Sequence, residues 1–127
     1  MPSPLSGLRI LVLEDEALIA LDVEQLCRDH GAGEVAIASS LREAKQVSLP
    51  YDAAIIDIML GGEPTFEFAR SLEAAGVPFV FASGYDKLDE IFAGFPDVAL
   101  VSKPYAGAEL IEAVAESIRK AARSADS

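Results

Sequence analysis

Five short apolar runs, each followed by a segment with helical spacing, limit what this chain can fold into. The runs are Arg9-Ile10-Leu11-Val12-Leu13, Glu34-Val35-Ala36-Ile37-Ala38, Ala53-Ala54-Ile55-Ile56-Asp57, Phe79-Val80-Phe81-Ala82 and Val98-Ala99-Leu100-Val101. All but the second are nearly continuous in apolar residues rather than alternating. Strands covered on both faces carry that pattern, and strands with one wet face do not. The intervening segments have a different period. Ile19, Val23, Leu26 and Cys27 share one face over Ala17 to His30, and Gly31 stands as a C-terminal stop. Ser40-Leu41-Arg42-Glu43 reads as a capping box that opens a short helix to Val47. Phe68, Leu72 and Ala75 share a face of Thr65 to Ala75, which Gly76 ends. Asp86 to Ala93 reads as a weaker helix with an Asp at its start, and Ile111, Val114 and Ile118 mark a last helix from Ala106 to Ala122.

Five strand–helix units in succession predict an α/β fold, a parallel sheet with helices on both faces. Right-handed crossovers leave few topologies. Five strands suit the flavodoxin-like (βα)5 order 2-1-3-4-5, a doubly wound sheet, better than the six-stranded dinucleotide fold. The 127 residues fit one domain, read as 8–122 between short tails at 1–7 and 123–127. Met1 to Gly7 has no basic stretch before an apolar run, so it reads as a surface tail rather than a leader. No segment has the apolar length of a membrane span.

Composition narrows the function classes. Ten basic against 21 acidic side chains leave a net charge of -11. Such a surface repels the nucleic-acid backbone and anionic lipid, so neither is an expected partner. Cys27 is the single cysteine, which excludes an internal disulfide and a Cys-rich zinc site, and the cytoplasm is the expected compartment. His30 is the single histidine, placed where a cation complements the end of a helix. Gly31-Ala32-Gly33 lacks a third glycine and follows a helix rather than opening one, so it is not a nucleotide loop.

In this topology the ligand crevice lies at the carboxyl ends of the strands, where strands 1 and 3 meet. Four strands deliver polar groups to that edge: Glu14-Asp15-Glu16 after strand 1, Asp57 at the end of strand 3, Ser83-Gly84 after strand 4 and Ser102-Lys103-Pro104 after strand 5. Each group alone has a plain structural reading; the acidic run, for example, suits a solvated helix start. Their placement at one edge is the informative part. Glu14, Asp15 and Asp57 would repel unless they recruit a cation. A hard divalent ion suits oxygen ligands, and Mg2+ takes one or two carboxylates plus phosphoryl oxygens. Asp57, fixed by a buried strand, could then act as a nucleophile and form an acyl phosphate. Lys103 would balance the phosphoryl charge and the Ser83 hydroxyl would donate to one of its oxygens.

These residues together resemble a response-regulator receiver domain over Leu8 to Ala122. The signals are Ile10-Leu11-Val12-Leu13-Glu14-Asp15-Glu16, Ile55-Ile56-Asp57-Ile58-Met59-Leu60, Phe81-Ala82-Ser83-Gly84 and Ser102-Lys103-Pro104-Tyr105. The resemblance implies that Asp57 takes a phosphoryl group from a phosphohistidine on a sensor kinase or phosphotransfer protein. It implies Mg2+, with Mn2+ as the alternative, held by Asp15, Asp57 and the main-chain carbonyl of Met59, with Glu14 acting through a water. Ser83 and Lys103 would bind the phosphoryl group, with Glu16, Gly84, Tyr85 and Pro104 flanking the site. Output would pass through the fourth helix, fifth strand and fifth helix to a protein partner.

Three departures from the family stand out. Glu14 replaces the usual Asp. Gly61 stands where proline is common, and Gly61-Gly62-Glu63-Pro64 is expected to form a looser loop. Leu100 occupies the usual place of an aromatic switch residue, three before Lys103. Phe81-Ala82-Ser83-Gly84-Tyr85 with Leu100 resembles a subgroup with a Phe-Ala-Thr-Gly-type motif, often stand-alone bacterial receivers partnered with HWE-type kinases. Two other classes compete with this one. An aspartyl-phosphate phosphatase of the haloacid dehalogenase type needs a general-acid Asp two residues after the nucleophile, where this chain has Met59. A pseudo-receiver would bind partners without phosphorylation; Asp15, Asp57, Ser83 and Lys103 argue against it, whereas Leu100 and Gly61 leave it open. The chain is therefore expected to be a phosphoacceptor rather than an enzyme.

Overall fold

The computed structural model describes residues 3–47, 50–83, 94–95, 98–102 and 107–125, with the main chain alone at 83, 102, 124 and 125. Strands β1 (Arg9–Leu13), β2 (Glu34–Ala38), β3 (Ala53–Asp57), β6 (Phe79–Ser83) and β7 (Leu100–Ser102) form a parallel sheet in the order β2-β1-β3-β6-β7. That is the expected doubly wound order. β4 (Met59–Leu60) and β5 (Glu63–Pro64) form a separate antiparallel hairpin. The helices are α1 (Ala17–Asp29), α2 (Leu41–Gln46), α3 (Phe66–Ala74) and α4 (Gly107–Ala125). The segment expected to hold another helix, Asp86 to Ala93, lies outside the described residues. Among the described residues, no helix is long and apolar enough to cross a membrane.

The apolar runs bury both faces. Leu11, Leu13, Ala54, Ile56, Phe79 and Phe81 point to one side, against Ala44 of α2 and Ala69 and Leu72 of α3. Ile10, Val12, Ala53, Ile55, Val80 and Ala82 point to the other, against Val23 and Cys27 of α1 and Leu110, Ile111 and Val114 of α4. Alternate residues of each strand thus feed different helical layers, as the period of two requires. β2 lies at an edge and is buried only at Val35 and Ala38, with Glu34 and Ile37 exposed, consistent with its broken apolar run.

Local details differ from the sequence reading. β7 begins at Leu100 rather than Val98, because the Val98 amide donates to the Phe95 carbonyl in a turn (3.2 Å). On α3, Ala69 and Leu72 face the core with Thr65, whereas Ala75 is exposed. At α2 the Ser40 hydroxyl accepts from the Glu43 amide as a cap should, at 3.1 Å. Glu43 reaches back to Ser39 instead of Ser40, accepting from its amide and hydroxyl, and these bonds lower its pKa. α4 runs to Ala125, past the expected boundary at 122.

The N-terminal segment is not a surface tail. Residues 3–7 form a turn that seats Leu5, fully buried, in the layer of α1 and α4. The amides of Leu5 and Gly7 donate to the carbonyls of His30 and Gly31, at 3.1 and 2.9 Å. Gly31 serves that docking: its φ is +100°, and a Cβ there would lie 2.8 Å from the Ser3 side chain. The Gly31-Ala32-Gly33 segment is therefore a packing surface for the N-terminal turn.

Two predictions follow from this packing. Leu5→Ala should cost about 2–5 kcal/mol, because a buried leucine is replaced by a cavity. Urea unfolding of the two chains would read that loss. Burial raises the Cys27 thiol to about 11. At pH 8 the folded chain should react with a thiol reagent at least ~100-fold more slowly than the urea-unfolded chain, since thiolate is the reactive form.

Candidate functional site

β1 and β3 are neighbours at the point where the strand order reverses, and their carboxyl ends open on one crevice. Glu14 follows β1 directly, and its amide extends the ladder by donating to the Ala38 carbonyl at 3.0 Å. Asp57 is the last residue of β3, a strand buried at all five positions. The amide of Ile58 donates to the Ala82 carbonyl (3.1 Å), so sheet pairing continues past Asp57 and fixes its main chain on both sides. Asp15 is exposed, while Glu14 and Asp57 are buried.

Carboxylate oxygens of Glu14, Asp15 and Asp57 all lie within 4.8 Å of one another. Two carboxylates at about 4 Å repel by about 4 kcal/mol at the effective dielectric of a protein surface. The nearby start of α1 at Ala17 offers each acid only about 0.3–1 kcal/mol through the helix dipole. The dipole alone is smaller than that repulsion, and the cluster is one that could hold a cation. An all-oxygen set of hard carboxylates fits Mg2+ or Mn2+, and it does not fit a soft metal that prefers sulfur.

Main-chain donors hold each acid. The Glu16 amide donates to Glu14 Oε1 (3.2 Å), the Met59 amide to Asp57 Oδ1 (3.3 Å) and the Gly61 amide to Asp15 Oδ2 (3.2 Å). Glu16 itself is the N-cap of α1, with no side-chain capping bond.

The segment after Asp57 is tighter than its glycines suggested. Met59 pairs with Pro64 and Leu60 with Glu63, so Gly61 and Gly62 are the two central residues of a hairpin turn. Their φ values are +58° and +83°. A two-residue turn of this kind needs positive φ at both centres, which glycine supplies without strain. Two adjacent glycines therefore define a turn here rather than loosen a loop. Thr65 closes the base. It is fully buried, and its hydroxyl donates to the main-chain oxygen of Asp57 at 2.7 Å and lies 3.1 Å from that of Ile58. Thr65 opens a helical segment in the sequence, and nothing local to it signals this contact.

Ser83 ends β6, next to the end of β3, through the pairing of Asp57 with Ala82. Its side chain lies outside the described residues, as do Gly84, Tyr85, Lys103 and Pro104. Leu100 pairs with Phe81 and packs against the layer of α2 and α3. Aromatic residues gather in that layer instead: Phe81 meets Phe66, Phe79 and Phe95 edge-on at 5.9, 5.4 and 5.2 Å. The guanidinium of Arg70 sits over the Phe95 ring at 4.9 Å.

Solved receiver-domain structures share this arrangement of strands. A response regulator receiver protein from Sinorhizobium medicae is 29% identical, with a TM-score of 0.77 over 91% of this chain and 97% of that one. The chain has the fold of a receiver domain. A Francisella response regulator receiver domain aligns over 90% of this chain and 98% of its own, at 21% identity and a TM-score of 0.76. The receiver domain of the Erythrobacter litoralis PhyR response regulator aligns over 90% and 92%, at 20% identity and a TM-score of 0.72. No protein-family model matches the sequence, and no curated protein matches it.

The acid cluster predicts a stability effect. At a Mg2+ concentration about a hundredfold above its dissociation constant, the folded chain should gain about 2.7 kcal/mol. Asp15→Asn should lose most of that gain, and urea unfolding with and without Mg2+ would measure it.

Proposed function

We propose that this receiver domain is a response regulator of a two-component system, with Asp57 accepting a phosphoryl group from a sensor histidine kinase or a phosphotransfer protein. The convergence of Glu14, Asp15 and Asp57 at the switch point of a receiver fold carries this reading. Asp15, Asp57 and the main-chain oxygen of Met59 are the groups we assign to Mg2+, with Glu14 behind them. The ion would supply neutralisation of charge on the phosphoryl oxygens.

The remaining chemistry belongs to the chain. An Asp57 carboxylate oxygen forms a bond to phosphorus as the bond from phosphorus to the donor histidine nitrogen breaks, leaving an acyl phosphate on Asp57. The Met59 amide orients the carboxylate through Oδ1. Ser83 and Lys103 are assigned to the phosphoryl oxygens, the serine as donor and the lysine as countercharge. Phosphorylation adds about two negative charges at this edge, and the surface around β7 and α4 is the assigned output face. Leu18 and Leu21, 79% and 55% exposed on α1, give apolar contact area beside the acids for a docking protein.

The domain acts as a phosphoacceptor rather than as an enzyme on a separate substrate, and it works in the cytoplasm. The motif at 81–85 and Leu100 support the stand-alone subgroup paired with HWE-type kinases, with output by protein contact or relay.

Intact-mass measurement after incubation with a small phosphodonor tests the reading. The parent with Mg2+ should carry one labile phosphoryl group; the parent without Mg2+ and Asp57→Asn should carry none. Because some receivers accept phosphate only from a kinase, the same comparison is repeated with phosphorylated histidine kinases. No adduct under either condition would overturn the phosphoacceptor reading in favour of a binding module that is not phosphorylated.

A further inference from the structure

The hairpin formed by β4 and β5 touches the acid cluster at two places. Its tip donates from the Gly61 amide to Asp15 Oδ2 at 3.2 Å. Its base donates from the buried Thr65 hydroxyl to the main-chain oxygen of Asp57 at 2.7 Å. A third bond, from the Thr65 amide to the Ile58 carbonyl at 3.0 Å, closes the loop on itself. One short unit thus grips an acid that follows β1 and an acid that ends β3.

We infer that this hairpin sets the geometry of the metal site, with Gly61 and Thr65 as positioning residues that preorganise Asp15 and Asp57. The inference rests on the reading of the acid cluster as a divalent-cation site. Groups that hydrogen-bond to metal ligands fix their orientation, and losing such a group typically weakens metal binding by about 10–100-fold. Asp15 needs that support most, because it is the exposed member of the three. Thr65 acts from the other end. Its bond goes to the Asp57 main chain, so it sets where the strand end sits rather than how the carboxylate turns.

The residue types match these tasks. The turn that brings the Gly61 amide to Asp15 needs positive φ at position 61, and proline there would remove both the donor and the turn. Threonine at 65 leaves no capping bond for α3, because its hydroxyl is used by Asp57 instead. A residue chosen to start the helix would be expected to cap it.

Isothermal titration with Mg2+ tests the inference in the whole chain, together with melting temperature. Thr65→Val keeps the shape and removes the hydroxyl, whereas Thr65→Ser restores it. Gly61→Pro removes the amide, whereas Gly61→Asn keeps it and tolerates positive φ. The expected result is a dissociation constant raised about 10–100-fold in Thr65→Val and Gly61→Pro, and within about threefold of the parent in the other two. A merely structural role would lower the melting temperature and leave the dissociation constant unmoved.

A second readout needs no metal. Hydrogen exchange at the Gly61 amide should be slow in the metal-free parent and faster in Asp15→Ala. Thr65→Val and Gly61→Pro binding Mg2+ as the parent does, while Asp15→Asn abolishes binding, would overturn the inference and leave the site reading intact. A parent that binds no Mg2+, or an Asp15→Asn chain that binds it equally well, would sink the site reading and the inference with it.

Discussion

Burial of β3 on both faces is the constraint on which the rest of the site depends. Ala53 through Asp57 are all buried, between α2 and α3 on one side and α1 and α4 on the other. A main chain so enclosed must satisfy its polar groups by sheet pairing, and it does so with β1 and with β6. Asp57 is therefore held at a set depth and angle before any ligand arrives. Placing a carboxylate there costs solvation, which is tolerable only where amides and a cation can face it. The open end of the strand, at the switch in strand order, is where the amides are available and where the three acids could hold a cation.

The same logic extends to the loops. Glu14 and Asp15 leave β1 at the level where Asp57 leaves β3, so repulsion among three acids is a consequence of the topology rather than an accident of the surface. The protein meets part of this load with amides from Glu16, Met59 and Gly61. Two of the three amides belong to the segment that follows Asp57. The hairpin is thus electrostatic as well as structural, and its two glycines have a reason that chain flexibility does not supply. The phenylalanines at 66, 79, 81 and 95 fill the layer behind Leu100, so the leucine sits against an aromatic wall rather than beside a vacancy.

Much of this was legible in the residues because it is set by local period and by strand ends. Continuous apolar runs indicate both-face burial, and the strand order that follows from them places Glu14, Asp15 and Asp57 together. What escaped was set by contacts between distant segments. Leu5 looked like part of a tail because nothing near it in sequence shows that it fills a gap beside Cys27 and Val35. Thr65 reads as the first residue of a helical segment because its hydroxyl has several local uses, and the choice is made by the Asp57 carbonyl, eight residues back. The hairpin did have a sequence signal, two glycines flanked by residues that can pair. Reading those glycines as mobility rather than as a turn missed it.

The central claim is that Asp57 carries the phosphoryl group, and a chemical trap locates it most directly. Borohydride reduces an aspartyl phosphate to homoserine, a stable mark that survives proteolysis. After phosphorylation with Mg2+ and borohydride treatment, peptide mass mapping should find homoserine at position 57 and nowhere else. Homoserine at another acid, or a phosphorylated chain in which position 57 remains aspartate, would contradict the account.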